Sequence, residues 1–322
     1  MAVIGLDLGG TKLAGAVFDS GGAVLAEDSV LLERRTGADV GSLVVSLLNR
    51  LMGKAPSVEA IGISVPGIAH SRTGRVWAPN IAGWDDYPLR DEIRASLSYE
   101  DVPVVIEADR SCCIMGEAWH GAARGSRNAV YLTVGTGIGA GIMVDGRILH
   151  GAHDISGAVG WLALDRPWNE KYRACGCFEY YASGDGIARY ARELLAERAA
   201  YAGALRTIAA DALTAHDIFP LYDAGDEVAV AALTRAIELW GMATANLVSL
   251  LNPERIIFGG GVFGPATRFL PDIAREAKRW AQPISITQVE LAASALGGAA
   301  ALHGAGHSAL RAVSSSRSGD GR

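Results

Sequence analysis

The chain has 322 residues, of which 50% are hydrophobic and 20% are charged, and its formal net charge is −6. This composition supports a packed core and excludes wholesale disorder, while the negative charge and the short basic runs argue against a nucleic-acid partner. Because no uninterrupted apolar run approaches the roughly 20 residues of a membrane span and no signal peptide is visible, we expect a cytoplasmic protein with no membrane partner and with one large or two smaller domains.

The first half of the chain predicts alternating strands and helices. Two strands, at 2–8 and 13–18, are joined by a glycine turn, and a third follows Gly21 and Gly22. Apolar residues at helical spacing predict a helix over 40–51. The remaining predicted elements are strands at 60–65 and 103–106 and helices at 91–97 and 109–120.

The second half repeats the opening layout. A strand over 129–134 runs into a glycine turn, and a returning strand follows at 140–144. Both halves therefore open with a strand, a glycine turn and a second strand, which indicates two related α/β halves. The other predicted elements are helices over 186–197, 227–251 and 266–280 and a strand over 255–258. After about residue 307 the Ser, Gly and Arg content predicts a frayed tail.

The first glycine turn is a candidate phosphate site. A strand delivers Asp7 to Gly9 and Gly10, whose backbone N–H groups can face phosphate oxygens, and Thr11 and Lys12 add a hydroxyl and a positive charge. It is not a P-loop, because a strand and not a helix follows. A plain hairpin turn explains the same residues equally well.

Two further glycine turns have a functional and an ordinary interpretation. Gly135, Thr136 and Gly137 stand at the equivalent place of the second half, so the two turns together suggest two walls around one nucleotide. Gly260 and Gly261 follow a strand and could let the backbone lie flat against an adenine or a ribose. Each turn alone is explained by chain reversal.

Asp109 follows a predicted buried strand and begins a predicted helix. An Asp at such a place commonly caps the helix N-terminus. The functional alternative is a carboxylate that accepts a hydroxyl proton during phosphoryl transfer. Both roles can hold together, since a cap would fix the carboxylate in place.

These motifs occur in one order with Pro66-Gly67, Pro79-Asn80 and Cys177-Phe178-Glu179 between them. From about residue 2 to residue 305 the chain resembles the ROK (repressor, open reading frame, kinase) sugar kinases of the actin–hexokinase–Hsp70 superfamily. The resemblance implies a two-lobed actin-like ATPase (ribonuclease H-like) α/β fold with a ligand cleft between the lobes, and it implies a homodimer. The small lobe would comprise 1–108 and about 291–305, the large lobe 109–290, and a flexible tail 306–322.

The resemblance also implies ATP and Mg²⁺ as cofactors and a role for each motif. Asp109 would be the catalytic base. The residues around the ATP phosphates would be Asp7, Gly9, Gly10, Thr11, Lys12, Gly135, Thr136 and Gly137, with Gly260 and Gly261 near the adenosine. The residues around the sugar would be Gly67, Asn80, Asp109 and Glu179, joined by Ala158 and Trp161 if those face the pocket.

The chain departs from the family where relatives hold the sugar and a structural zinc. The family commonly has Asn where this chain has Ala108, and Gly-Glu-x-Gly-His where residues 157–161 read GAVGW. The missing Glu usually binds ring hydroxyls, and the missing His usually binds zinc with three cysteines. Indole cannot ligate zinc, and only Cys175 and Cys177 remain of the cysteine cluster. We therefore expect no zinc, and we expect Trp161 to hold the loop 166–177 by apolar packing or to be plain core.

These losses predict a changed substrate, because Asp109, Asn80 and Glu179 are all retained. The predicted reaction is ATP-dependent phosphorylation of a hydroxyl, the 6-OH, on a modified hexose such as 3-amino-3-deoxyglucose (kanosamine) or on a cyclitol. Two alternatives stay open: a catalytically silent sugar-binding sensor, and an ordinary glucokinase with other contacts. Candidate replacement contacts are His153, Asp154, Asp85 and Asp86. A repressor is disfavoured, since the first strand begins at residue 2 and leaves no room for an N-terminal DNA-binding domain.

Overall fold

The computed structural model describes residues 1–55, 57–97 and 102–319, and it divides into two compact units. Unit 1 comprises Met1–Gly125, Ile148–Ser156 and the chain from 295 onward, and unit 2 comprises Ser126–Arg147 and Gly157–Ser294. The strands are β1 (Ala2–Leu8), β2 (Lys12–Asp19), β3 (Val24–Leu31), β4 (Ala60–Val65), β5 (Ile68–Ala69), β6 (Val76–Trp77), β7 (Val104–Ala108), β8 (Ala129–Val134), β9 (Ile138–Val144), β10 (Arg147–Ile148), β11 (Arg255–Gly259) and β12 (Glu290–Ala293).

Helices alternate with these strands. They are α1 (Gly37–Met52), α2 (Leu89–Ser96), α3 (Asp109–His120), α4 (Cys177–Ala182), α5 (Gly184–Glu197), α6 (Ala215–Asp223), α7 (Glu227–Leu251), α8 (Leu270–Trp280) and α9 (Ala300–Gly319).

Each unit contains a five-stranded sheet, and the two sheets have the same layout. Their strand orders are β3-β2-β1-β4-β7 and β10-β9-β8-β11-β12. Each sheet contains an antiparallel hairpin, β1–β2 or β8–β9. The first strand of the hairpin pairs in parallel with a third strand, β4 or β11, and that strand pairs in parallel with a fourth, β7 or β12. This confirms the repeat predicted from the two glycine turns.

The central strands are buried because their sequences are almost wholly apolar. Every residue of β4 is buried, as is every residue of β1 except Asp7. Continuous apolar runs of this kind are typical of parallel strands covered on both faces. Edge strand β3 instead alternates between exposed and half-buried residues. The central strands therefore form much of the hydrophobic core, and polar residues are found near the strand ends.

α7 is the core helix of unit 2. Asp226 caps its N-terminus, accepting from the backbone N–H groups of Val228 and Ala229 at 3.0 Å each, and Asn252 ends it in a left-handed conformation. By length and composition alone α7 could cross a membrane, but 61% of its most apolar window is buried in the fold. Its apolar surface is thus used in the core of unit 2.

The structure corrects the predicted boundaries and the predicted tail. The sequence places a boundary at Asp109, whereas α3 and segment Ile148–Ser156 belong to unit 1. The predicted tail begins at 306, whereas α9 continues to Gly319 and buries Ala309 and Val313; residues 320–322 lie outside the described part of the chain. The reason is packing: α9 lies against α3, β1 and β4, so both helices belong with the first sheet.

Candidate active site

The carboxyl ends of three neighbouring parallel strands bring candidate residues together in unit 1. The strands β1, β4 and β7 are adjacent in the sheet. Asp7 of β1 pairs in register with Ser64 of β4, and Val65 of β4 pairs with Ala108 of β7. Gly67 lies two residues after β4 and Asp109 directly follows β7, so they share this sheet edge with Asp7. Ligands of open α/β sheets bind beyond the carboxyl ends of the strands.

Asp109 is the first residue of α3 and is not its cap. Ala108 occupies the cap position with extended backbone and makes no side-chain cap bond, which corrects the capping interpretation. Asp109 Oδ1 accepts from the backbone N–H of Arg110 at 2.7 Å. Burial raises the pKa of Asp109, while that bond and the charge of Arg110 lower it.

The β1–β2 turn presents exposed backbone next to this edge. Gly9 N–H donates to the Lys12 carbonyl at 2.9 Å, and Gly10 and Thr11 are exposed. A Cβ on Gly10 would lie 3.3 Å from Asn80 Nδ2, so the Asn80 amide touches the turn. The turn and a predicted sugar ligand are therefore neighbours within unit 1.

Asp7 and Gly67 complete this edge. The pKa of Asp7 is raised to about 6, chiefly by burial and also by the charge of Asp109, although Ser64 and Lys12 lower it. Gly67 has φ +85°, and a Cβ there would meet the Trp77 carbonyl at 2.1 Å, so only glycine fits. The carbonyl of Gly67 accepts from Arg110 Nη1 at 2.8 Å.

Unit 2 contains a cavity of about 680 Å³ beside its own glycine turn. Gly135, Thr136 and Gly261 line it, whereas Gly137 and Gly260 are not among its lining residues. Gly260 has φ +85° and a Cβ there would lie 2.4 Å from the Val134 carbonyl, so it serves a close approach to β8. Of the glycine-turn residues predicted to bind ATP in unit 2, some therefore line the cavity, and Gly260 instead allows close packing of the backbone.

Much of the cavity wall was not predicted. It comes from the N-terminus of α5 and from the chain leading into α6. The Ser-Gly-Asp-Gly run at 183–186 was an available signal, since Ser183 accepts from Gly186 N–H as a helix cap. The added polar lining residues are Asp185, Arg189, Arg192, Asp211, Thr214 and His216.

Glu179 lies against the β8–β9 turn. Its Oε2 accepts from Ile138 N–H at 2.6 Å, and Cβ atoms on Gly137 or Gly160 would lie 2.8 Å and 3.0 Å from the Glu179 side chain. Burial raises the pKa of Glu179, and the bond from Ile138 lowers it. One carboxylate oxygen is therefore used to hold the turn.

The GAVGW stretch is built for close backbone contact. Gly157 has φ +86°, and Gly176 comes so near Gly160 that a Cβ on Gly176 would be 2.4 Å from the Gly160 carbonyl. The Trp161 side chain is 56% exposed, so it is neither core nor a buried packing group, contrary to both expectations. It lines a cavity of about 500 Å³ together with Pro167, Trp168, Tyr172 and Cys177.

The loop after Trp161 is held by other groups. Lys171 Nζ pairs with Glu193 at 2.9 Å and lies 4.8 Å and 5.0 Å from the ring centres of Tyr180 and Tyr181. At the start of the loop Asp165 pairs with Arg235 at 2.6 Å. The loop therefore has charged and aromatic anchors on α4, α5 and α7.

The four candidate replacement contacts for the sugar either form loop interactions or are exposed. Asp86 pairs with Arg75 at 2.7 Å, and Asp154 accepts from Ser71 N–H at 3.2 Å, so both serve loop structure. His153 and Asp85 are exposed. Among the described residues no group of three or more His, Cys, Asp or Glu side chains could hold a metal ion.

Comparisons with known proteins give one family. The ROK family model matches residues 3–311. The glucokinase of Halalkalibacterium halodurans is 32% identical over 315 residues, covering 94% of this chain and 93% of its own. The N-acetyl-D-glucosamine kinase of Escherichia coli is 29% identical over 320 residues, covering 93% and 98%. A ROK family glucokinase from Streptomyces griseus, solved with glucose and AMPPNP, is 28% identical with a TM-score of 0.75, covering 97% and 100%.

Proposed function

The chain belongs to the ROK family and is an ATP-dependent sugar kinase, and we propose that its acceptor is a hexose with an altered ring substituent. The proposed reaction transfers the terminal phosphoryl group of Mg²⁺-bound ATP to the 6-OH. An amino sugar such as 3-amino-3-deoxyglucose is the leading acceptor, and a cyclitol is the second member of the class.

We assign Asp109 as the general base. It stands at the carboxyl end of β7 beside Asp7 and Gly67, where an acceptor hydroxyl can be presented to it. Phosphoryl transfer requires mainly positioning, charge stabilisation and one group that takes the hydroxyl proton. The opposing effects of burial and of Arg110 on the pKa of Asp109 are what such a base requires.

The nucleotide is proposed to lie in the 680 Å³ cavity of unit 2, with Gly135 and Thr136 at its phosphates and Gly261 near the adenosine. Backbone N–H groups in glycine turns bind phosphate oxygens without bulky side chains in the way. The β1–β2 turn around Gly10 would serve the phosphates in the same manner, and the Mg²⁺ would arrive with ATP.

The altered acceptor is supported by one observation above all. Ala108, the buried residue before Asp109, has no polar side-chain atom, and Ala158 is exposed at the place where the family resemblance implies a Glu. A substrate hydroxyl buried without a partner costs on the order of 1–3 kcal/mol. Glucose would present hydroxyls at positions from which these partners have been removed.

An ADP-release assay over glucose, N-acetylglucosamine, 3-amino-3-deoxyglucose and inositols tests this proposal. We expect kcat/KM for an altered acceptor to exceed that for glucose at least about tenfold, since about 1.4 kcal/mol corresponds to that factor. NMR of the product identifies the phosphorylated hydroxyl. Ala158→Glu should raise kcat/KM for glucose relative to the amino sugar, and Ala199→Glu, at another exposed alanine of unit 2, should not.

Two results would replace this proposal. If glucose equals or exceeds every altered acceptor, the protein is an ordinary glucokinase, as its relative from Halalkalibacterium halodurans is named. If sugars raise the melting temperature but none supports ADP release, the protein is a sugar-binding sensor.

A further inference from the structure

Arg110 occupies a place that disfavours a positive charge. It is the second residue of α3, in the first helical turn, and it is half-buried. The N-terminus of a helix carries partial positive charge, which disfavours a cation there. Burial also lowers the pKa of the Arg110 guanidinium. The Arg110 guanidinium therefore needs specific hydrogen-bond partners that compensate for its burial and for its place at the helix N-terminus.

Its partners are the carbonyls of two loops. Nη1 donates to the carbonyl of Gly67, two residues after β4, at 2.8 Å, and Nε donates to that of Ser156 at 3.1 Å. Ser156 is the last residue of the Ile148–Ser156 segment of unit 1, and Gly157 and Ala158 follow it. One planar guanidinium thus ties together two loops next to Asp109.

The segment Ile148–Ser156 has anchors that do not depend on Arg110. His150 Nε2 lies 2.9 Å from Glu107, and Asp154 accepts from Ser71 N–H. Loss of the Arg110 side chain would therefore leave this segment attached to unit 1. What would be lost is the link between Ser156 and Gly67 at the side of Asp109.

The charges around Asp109 come from two elements. Arg110 on α3 lowers the pKa of Asp109, and the Asp109 charge in turn helps to raise the pKa of Asp7 on β1, which Lys12 lowers. The Glu107–His150 pair stands at the end of β7, two residues before Asp109. Arg110 is thus the cation next to the proposed base.

We propose that Arg110 is a positioning residue for phosphoryl transfer: it fixes the Gly67 and Ser156 loops around the acceptor and places a positive charge near the Asp109 carboxylate. The inference deepens the proposed function and rests on it. The geometry calls for arginine, since a guanidinium offers several N–H donors in a rigid plane, whereas lysine offers one compact charge that cannot reproduce that fork.

Three variants test the two parts of the proposal. Arg110→Met removes both the charge and the link, and Arg110→Lys keeps the charge alone. Arg90→Met is the matched control, because Arg90 also donates to a loop carbonyl of unit 1, that of Arg72, at 2.8 Å, away from Asp109. The readouts are kcat, KM, the pH profile of kcat/KM, and hydrogen–deuterium exchange of residues 66–69 and 148–156.

In Arg110→Met we expect kcat to fall on the order of 100-fold, the cost of misplacing reacting groups by about 1 Å. The acid limb of kcat/KM should move to higher pH, because the carboxylate loses a nearby cation. Arg110→Lys should keep the wild-type acid limb but not the wild-type kcat. Amide exchange of the two loops should be faster in Arg110→Met and unchanged in Arg90→Met.

A rise in KM with unchanged kcat and pH profile would overturn the proposal, as would unchanged loop exchange together with unchanged kinetics. The exchange measurement needs no substrate. If the wild-type protein phosphorylates no acceptor but Arg110→Met still loosens both loops, the proposed function fails and the positioning of the loops by Arg110 stands.

Discussion

Asp109 is half-buried, and its carboxyl interacts with both the backbone N–H and the charge of Arg110. Burial raises its pKa, and the backbone N–H and charge of Arg110 lower it. A general base works best when it is ionised at the working pH and still attracts a proton in the transition state. The local sequence puts Asp109 at the strand end, and the packing of α3 sets its proton affinity.

Asp109→Asn should reduce kcat by several orders of magnitude, because the amide cannot accept the hydroxyl proton, while ATP affinity measured by calorimetry should stay within about threefold. Asp91→Asn is the control, since Asp91 also lies in the first turn of a helix but is exposed. Near-normal turnover of Asp109→Asn would show that another group takes the proton.

The sequence predicts residue positions well where a strand and its turn carry the information. Asp7, Gly67 and Asp109 meet at one sheet edge because each lies within two residues of the carboxyl end of an apolar strand. The exposure of Trp161 was not predictable, since it depends on how Gly176 returns against Gly160. Arg189 and His216 line the 680 Å³ cavity of unit 2 from separate helices, and no local motif marks them.

At the scale of elements, α9 shows how composition can mislead. Its glycines disfavour a helix, yet they let it approach other backbones closely. A Cβ on Gly304 would lie 1.8 Å from the Cys112 carbonyl, and one on Gly62 would lie 1.9 Å from that of Ala305. Tertiary packing therefore requires small residues at these contacts, and the helix propensity of the local sequence does not reveal that requirement.

The packing of α9 on α3 predicts acid sensitivity through His307. This histidine stacks on Trp119, its Nδ1 is buried without a hydrogen-bond partner in the described chain, and burial lowers its pKa from 6.5 to about 4. Between pH 6.5 and about pH 4, His307 is protonated in the unfolded chain but stays neutral in the folded chain. Stability is therefore complete above about pH 6.5 and falls by about 3 kcal/mol as the pH drops to 4.

His307→Leu should remove this contribution and flatten the pH dependence of the unfolding free energy over that range, as measured by urea denaturation. His153→Leu replaces an exposed histidine and should leave the slope unchanged. Equal slopes in His307→Leu and the wild type would mean that another group titrates on unfolding.

The loop at 162–176 is the second element with a direct test. We propose that Lys171 and its aromatic neighbours hold this loop without zinc. A chelator should leave the melting temperature unchanged, and elemental analysis should find no stoichiometric zinc. Lys171→Met should cost about 1–2 kcal/mol of unfolding free energy, from one ion pair and the cation–π contacts.

Lys54→Met is the control, because Lys54 makes a longer ion pair of 3.6 Å with Asp28 at a more exposed site. Its effect should stay within about 0.5 kcal/mol. One tightly bound zinc per chain, or a loss of stability in chelator, would contradict a metal-free loop and would mean that Cys175 and Cys177 are ligands.

At the scale of the whole molecule, the predicted fold class is confirmed as the two-lobed actin-like ATPase fold of ROK sugar kinases. That prediction rested on the resemblance to ROK sugar kinases, and the repeated strand–turn–strand pattern agrees with it, since the two sheets have equivalent strand orders. The division between units was not predictable, because Ile148–Ser156 and the chain from 295 onward join unit 1 through contacts distant in sequence.

This division makes a truncation informative. A chain ending after Ala305 loses the buried residues Ala309 and Val313 of α9, so unit 1 should lose its cooperative thermal transition. A chain ending after Ser314 keeps both and should melt like the full protein. Calorimetry distinguishes the two, and a full unit 1 transition in the shorter chain would show that the second half of α9 is dispensable.

The late position of α9 also sets an order of events on the ribosome. Unit 2 has all its residues once Ser294 has left the exit tunnel, whereas the first sheet, although synthesised earlier, must wait for α9 to cover β1 and β4. Until then the earliest apolar strands of the nascent chain remain open to solvent and to other chains. Co-translational chaperones should therefore engage the first sheet for longer than the second, and slow codons placed before α9 should lower the soluble yield.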